Sequence, residues 1–154
     1  MPRSNECPSS CPALRVMMMP RDTNAHGTIF GGVLLSYIDQ AGVIAARERF
    51  PHKYVTVAID KVEFKQPVYV GDVLSFYDRV IRQGRTSVTI HVTVEAERFR
   101  NPAEIVPVTE AEIVFVAIDE KRRPIPLTSP PRASAASSPS PRKTARPPRR
   151  QGAK

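Results

Sequence analysis

The clearest periodicity in the chain lies at residues 88–96, where Val88, Ile90, Val92, Val94 and Ala96 alternate with Thr89, His91, Thr93 and Glu95. Alternation with period two puts one set of side chains on a core and the other toward solvent, so it predicts a half-buried strand. Related runs occupy Leu14–Met19, Tyr54–Phe64, Val73–Ile81 and Val108–Ile118, the last with Ala111, Ile113, Phe115 and Ala117 on one face. Gln66-Pro67, Gly71-Asp72 and Gly84 separate them as turns. One segment has a different rhythm. Val33–Ala46 reads VLLSYIDQAGVIAA, apolar on nearly all sides, and ends in Arg47-Glu48-Arg49 before Pro51. Its length and its ending predict a helix, and its all-round hydrophobicity predicts a buried one. A strand, a helix and four closely connected strands give an α+β domain, an antiparallel sheet of about five strands wrapped around one long buried helix. So small a sheet has a thin core and is expected to extend across a subunit interface.

Composition divides the chain into three. Residues 1–12 form a flexible leader, 13–127 carry the periodic hydrophobicity, and 128–154 are rich in Pro, Ser, Ala and Arg. The tail has no aromatic or large aliphatic side chain, so disorder is expected there. Of the formal net charge of +8, the tail supplies seven positive charges (Arg132, Arg142, Lys143, Arg146, Arg149, Arg150, Lys154) and no negative one. The remainder is almost neutral, which argues against a nucleic-acid-binding domain and leaves the tail only nonspecific contact with anionic surfaces. Deleting it is expected to leave function intact. No run of eighteen apolar residues and no secretory h-region occurs, so cytoplasmic residence is expected. Cys7 and Cys11 have too few companions for a zinc site and read as free thiols.

Asp39 does not belong to its surroundings. It stands in the middle of the apolar helix, and an isolated carboxylate there must pair, protonate or line a cavity. Gly32, Ser36, Gly42, Val43 and Ala46 share its face, which is small enough to admit a ligand. Two readings stand at this point: a structural ion pair or cap, and a base held in a partly dry pocket. The approach to the helix, DTNAHGTIFGG, supplies the second feature. Gly31 and Gly32 at a helix start expose free N–H groups that, with the helix dipole, stabilise an oxyanion. Asn24 adds an amide donor nearby, although a turn role accounts for it equally. His26, His52 and His91 have no metal-ligand spacing, and no G-x-S-x-G elbow is present.

The run from Asp22 to Gly42 resembles the core motif of the hotdog-fold acyl-CoA thioesterases, closest to the broad-specificity bacterial and brain-type acyl-CoA hydrolases. VTVAIDKVEF (55–64), PVYVGDVL (67–74), QGRTSVTI (83–90) and TEAEIVFVA (109–117) extend the likeness, in order, across 13–127. The resemblance implies a homodimer or a trimer of dimers, with active sites between subunits. It implies Asp39 as general base or nucleophile, Asn24 supplied by the partner subunit to position water or thioester, and the N–H of Gly31 or Gly32 on the thioester carbonyl. It further implies a CoA-binding turn at Arg82, Gly84, Arg85, Thr86 and Ser87, whose alternative is an ordinary strand connection. Lys61, Lys65 and Lys121-Arg122-Arg123 are weaker phosphate candidates. The expected reaction is hydrolysis of acyl-CoA to free fatty acid and CoA. A thioester is already electrophilic and its thiolate leaves readily, so one carboxylate and an oxyanion donor suffice, with no metal or other cofactor. The rivals are a non-catalytic acyl-CoA sensor and a hotdog dehydratase acting on acyl carrier protein substrates; in the latter a His precedes Phe-Pro, whereas His26 precedes Gly-Thr.

Overall fold

A computed structural model describes residues 11–127; the leader, apart from its last two residues, and the basic tail lie outside the described residues. The elements run β1 (Leu14–Met17), a 3-10 turn (Pro20–Asp22), α1 (Gly31–Arg49), β2 (Lys53–Phe64), β3 (Val73–Gln83), β4 (Ser87–Arg98) and β5 (Asn101–Ile118). The strands form one antiparallel sheet in the order β1-β3-β4-β5-β2. β4, whose alternation is the sharpest in the sequence, is central, and its inward residues Val88, Ile90, Val92, Val94 and Ala96 are fully buried. Ala111, Ile113, Phe115 and Ala117 of β5 join them as expected.

α1 lies across this face, burying Leu34, Ile38, Ala41, Gly42, Ala45 and Ala46. Two expectations need correction. The helix is buried on one side only: Ser36 and Gln40 are exposed, and Asp39, Val43 and Ile44 are partly so. Nor does Gly42, on the small face beside Asp39, leave room for a ligand. A Cβ on Gly42 would stand 2.8 Å from the Phe115 ring, so the missing side chain is what lets helix and sheet touch. The helix also begins at Gly31, two residues before the apolar run, and β5 begins at Asn101, seven before the expected Val108.

The two edges of the sheet differ. β1 is four residues long, whereas β2 runs for twelve with Val55, Val57, Ile59 and Phe64 exposed. Bulges between Thr56 and Ala58 and between Asp60 and Glu63 bend it, the second around Lys61 at φ 50°. A long apolar edge presents backbone groups on which another strand can pair.

Candidate functional site

Asp39 projects from the middle of α1 toward this edge. Thr56 of β2 donates its hydroxyl to Asp39 Oδ1 at 2.6 Å. Asp39 Oδ2 takes part in none of the described hydrogen bonds or ion pairs. A carboxylate oxygen has lone pairs for about two donors, so Asp39 is oriented by one neighbour and open to another. Sequence reasoning missed Thr56, because threonine in a strand is unremarkable; its place on the helix-facing side of an edge strand is the only clue.

The two glycines stand at the start of the helix, and Asn24 lies in the loop that leads into it. The segment from Thr23 to Ile29 closes on itself through a bridge between those two residues, with Gly27 at φ 80°. Asn24 Oδ1 accepts the N–H of His26 at 2.8 Å and of Thr28 at 3.3 Å, while its Nδ2 donates to Thr28 Oγ1 at 2.8 Å. The loop is tied to the start of α1 by Phe30 N–H to the Asp22 carbonyl and to the β2–β3 connection by Ile29 N–H to the Val68 carbonyl, both at 2.8 Å. At the helix start, Phe30 N-caps without a side-chain bond, and no described acceptor takes the N–H of Gly31 or Gly32. Unpaired N–H groups at a helix N-terminus favour negative charge. A cavity of about 320 Å³ opens there, walled by Ile29, Leu34, Phe64, Pro67 and Val68. The Phe64 ring rests on Gly31, where a Cβ would come within 3.3 Å of it.

The structure does not bring these groups together within one chain. Gly31 and Asp39 are eight residues apart on one helix, about 12 Å at 1.5 Å per residue. A nucleophile or its activating base must come within about 3–3.5 Å of the carbonyl or water it serves. One chain therefore cannot put Asp39 and its own Gly31 on the same reacting centre. The register of the sheet agrees: Thr56 stands opposite Phe115, whereas Phe64 stands opposite Thr109, about 20 Å further along β5.

The expected CoA turn belongs to the Asp39 end. Ser87 pairs with Val116, which pairs with Val55 next to Thr56. Gly84 N–H donates to the Ser87 carbonyl at 2.8 Å, and Ser87 Oγ sits where a Gly84 side chain would be. The carbonyls of Arg85 and Thr86 accept from Leu127 and Ala117, fixing the turn to the end of β5. Arg82 and Arg85 are exposed, and none of the described ion pairs engages either. The weaker candidates are mostly committed elsewhere. Lys61 pairs with Glu112, Lys65 with Glu110 and Arg123 with Asp119. The hydrogen bond that Lys61 donates to Glu112 raises the Lys61 pKa, the one that Lys65 donates lowers that of Glu110, and backbone donation from Arg123 lowers that of Asp119.

One buried charge escaped the sequence reading. Asp72 is 2 % exposed and accepts the N–H groups of Tyr69 and Phe99 and Arg98 Nη1 at 2.7 Å. Arg98 also donates to the Pro67 carbonyl and lies 5.4 Å from the Tyr69 ring centroid. The pair pins residues 67–69, the segment that walls the cavity at the helix start and holds Ile29.

The thioesterase superfamily matches residues 26–103. The acyl-CoA thioester hydrolase YciA of Salmonella typhimurium is 40% identical over 116 residues, covering 74% of this chain and 87% of its own. A hexameric hotdog-fold thioesterase of Campylobacter jejuni is 42% identical with a TM-score of 0.72, covering 76% of this chain and 90% of its own. A hexameric broad-specificity acyl-coenzyme A thioesterase is 38% identical, also at TM-score 0.72, over 77% of this chain and 81% of its own.

Proposed function

The chain belongs to the thioesterase superfamily, and we propose that it hydrolyses acyl-CoA to free fatty acid and CoA at sites shared between two copies. The separation of Gly31 from Asp39 along one helix carries this reading. If β2 pairs antiparallel with β2 of a second copy about Asp60, Thr56 of one chain comes level with Phe64 of the other. Asp39 then faces the Gly31, Gly32 and Asn24 of its neighbour, and each dimer holds two complete sites. The exposed Val55, Val57 and Ile59 are the side chains such pairing would cover.

In this site the thioester carbonyl accepts from the free N–H of Gly31 or Gly32, and Asn24 positions the thioester or water. Asp39, held by Thr56, takes the proton from attacking water, or attacks as nucleophile itself to form an anhydride that water then cleaves to release the acid. The tetrahedral oxyanion collapses with loss of CoA thiolate, the donors at the helix start stabilising the developing charge. Arg82 and Arg85, with the N–H and hydroxyl groups of Thr86 and Ser87, are placed to take CoA phosphates. Residues 13–127 are the catalytic domain in this reading. Relatives named hexameric support a trimer of dimers. Among the described residues no helix is long and apolar enough to cross a membrane, and a CoA substrate fits cytoplasmic residence.

The test is complementation. Asp39→Ala and Asn24→Ala chains, each inactive alone on a panel of acyl-CoAs, are unfolded together and refolded as mixed oligomers. A shared site returns about a quarter of the wild-type rate, because half the dimers are mixed and half their sites are intact. No recovery in mixed oligomers would refute the shared site.

A further inference from the structure

A thioester carbonyl carries two substituents, and a site has to lead them away in different directions. With the carbonyl on the N–H of Gly31 or Gly32, the CoA side runs across the β2 edge into the second copy. The turn from Arg82 to Ser87 lies there, beside that copy's Val55 and Thr56 in the sheet register. The acyl side stays with the first copy and faces the cavity of about 320 Å³ beside Gly31. The walls of that cavity are mainly apolar, and moving a hydrocarbon chain from water onto such walls is favourable.

One wall differs from the others. Ile29, Leu34 and Val68 are buried and backed by the core. Pro67 has its backbone fixed by its own ring, and its carbonyl accepts from Arg98. Phe64, the last residue of β2, is 53 % exposed, and its ring lies on Gly31. It is the wall that the fold does not hold from behind. Lys65 and Gln66 also line the cavity, their polar ends engaged by Glu110 and Arg98. A chain that outgrows the apolar walls meets these groups and gains nothing further. An apolar cavity of about 150 Å³ takes a benzene, so this partly open one has room for roughly an octanoyl chain. Phe30 supplies a comparison, since its ring covers Gly32 as Phe64 covers Gly31, and it is similarly exposed. Phe30, however, is not among the residues that wall the cavity.

We infer that Phe64 sets the length of acyl chain this protein hydrolyses, by closing the cavity beside Gly31 at about an octanoyl chain. The inference rests on the shared-site reading above and adds the substrate class. The experiment is kcat/KM on butyryl-, octanoyl- and palmitoyl-CoA for the full chain, wild type beside Phe64→Ala, Phe64→Leu and Phe30→Ala, with circular dichroism to establish folding. Wild type is expected to favour octanoyl-CoA over palmitoyl-CoA. Phe64→Ala is expected to raise the palmitoyl-to-octanoyl ratio of kcat/KM by about tenfold, the low end for a pocket altered by one methylene or more. Phe64→Leu is expected to raise it by less, and it reads the same ratio should the alanine chain not fold. Phe30→Ala disturbs the same helix start without altering the cavity wall, so the ratio stays at its wild-type value whatever happens to the rates. An unchanged ratio in the folded Phe64 variants, an equal rise in Phe30→Ala, or a wild type that prefers palmitoyl-CoA overturns the assignment and leaves hydrolysis standing. A wild type that hydrolyses none of the three overturns the reading beneath it as well.

Discussion

Asp39 and Asp72 are two carboxylates in one small domain, and their surroundings differ in nearly every respect. Asp72 is buried, with backbone N–H groups on both oxygens and the Arg98 guanidinium beside them. Asp39 sits at the open edge with Thr56 on one oxygen. A carboxylate whose acceptor capacity is filled by its own chain holds the fold together and has little left for a substrate. One left half-satisfied beside an unpaired strand keeps a lone pair for chemistry. The charge alone says nothing about role; the unfilled part of its hydrogen-bonding capacity does.

The comparison breaks most sharply if the two side chains are removed in turn. Asp39→Ala is expected to lower kcat on acyl-CoA by about 10²–10⁴-fold, the range for loss of a positioned base. With one hydrogen bond lost near the surface, the same variant should cost only about 1 kcal/mol of stability. Asp72→Ala should do the reverse in kind: it leaves Arg98 buried without its partner and strips two backbone donors, costing about 3–5 kcal/mol. Urea unfolding and initial rates on both proteins check this together. If Asp39→Ala proves the more destabilised of the two, the division of labour is wrong.

Sequence alone made Asp39 conspicuous and left Asp72 in the background, for a physical reason. A polar residue inside an apolar helical run violates a local pattern, whereas Gly71-Asp72 satisfies one as a turn. Arg98, which gives Asp72 its role, lies 26 residues away, and only the β3–β4 register brings them together. The strands and the helix were legible because period two and near-continuous apolarity are local signals. The first turn of α1 fell outside the apolar run because it holds two glycines, poor helix formers read only as standing at the helix start. The extension of β5 contains Pro102 and Pro107, residues unusual inside a strand; β2 does not pair there, so missing N–H groups on that side cost nothing. The chemistry of Asn24, Gly31 and Gly32 was visible mainly as a motif, and in the shared site proposed above its complement lies on a second copy.

A smaller effect sharpens the Asp39 side of the contrast. Thr56→Val keeps the shape of the strand and removes the hydroxyl that orients the carboxylate. Loss of one hydrogen bond to a charged group, about 1.5–3 kcal/mol when wholly expressed, sets the upper limit. At this partly solvated position a drop in kcat of about three- to tenfold is expected, with KM nearly unchanged. Thr56→Ser should restore most of the rate. If Val and Ser behave alike, the hydroxyl is not what holds Asp39.

The mildest effect comes from Tyr54, two residues before Thr56 and also facing the helix. Its hydroxyl donates to the Phe50 carbonyl at 2.8 Å, just past the last turn of α1, and burial pushes its pKa up to about 12. This group follows the Asp72 pattern: its donor is taken by the fold, and ionising it would destroy the bond. The unfolded tyrosine ionises near 10, so between pH 10 and 12 the folded chain holds on to a proton that the unfolded chain has released. Tyr54 therefore contributes its full stabilisation below pH 10 and loses it progressively as the pH rises toward 12. Urea midpoints for wild type and Tyr54→Phe at pH 9 and pH 11 should show a steeper fall in the wild type, the difference being this one group. Parallel falls would mean that Tyr54 ionises no later in the folded chain than in the unfolded one, and that the tyrosine hydroxyl, like Asp39, is open to solvent rather than held by the helix.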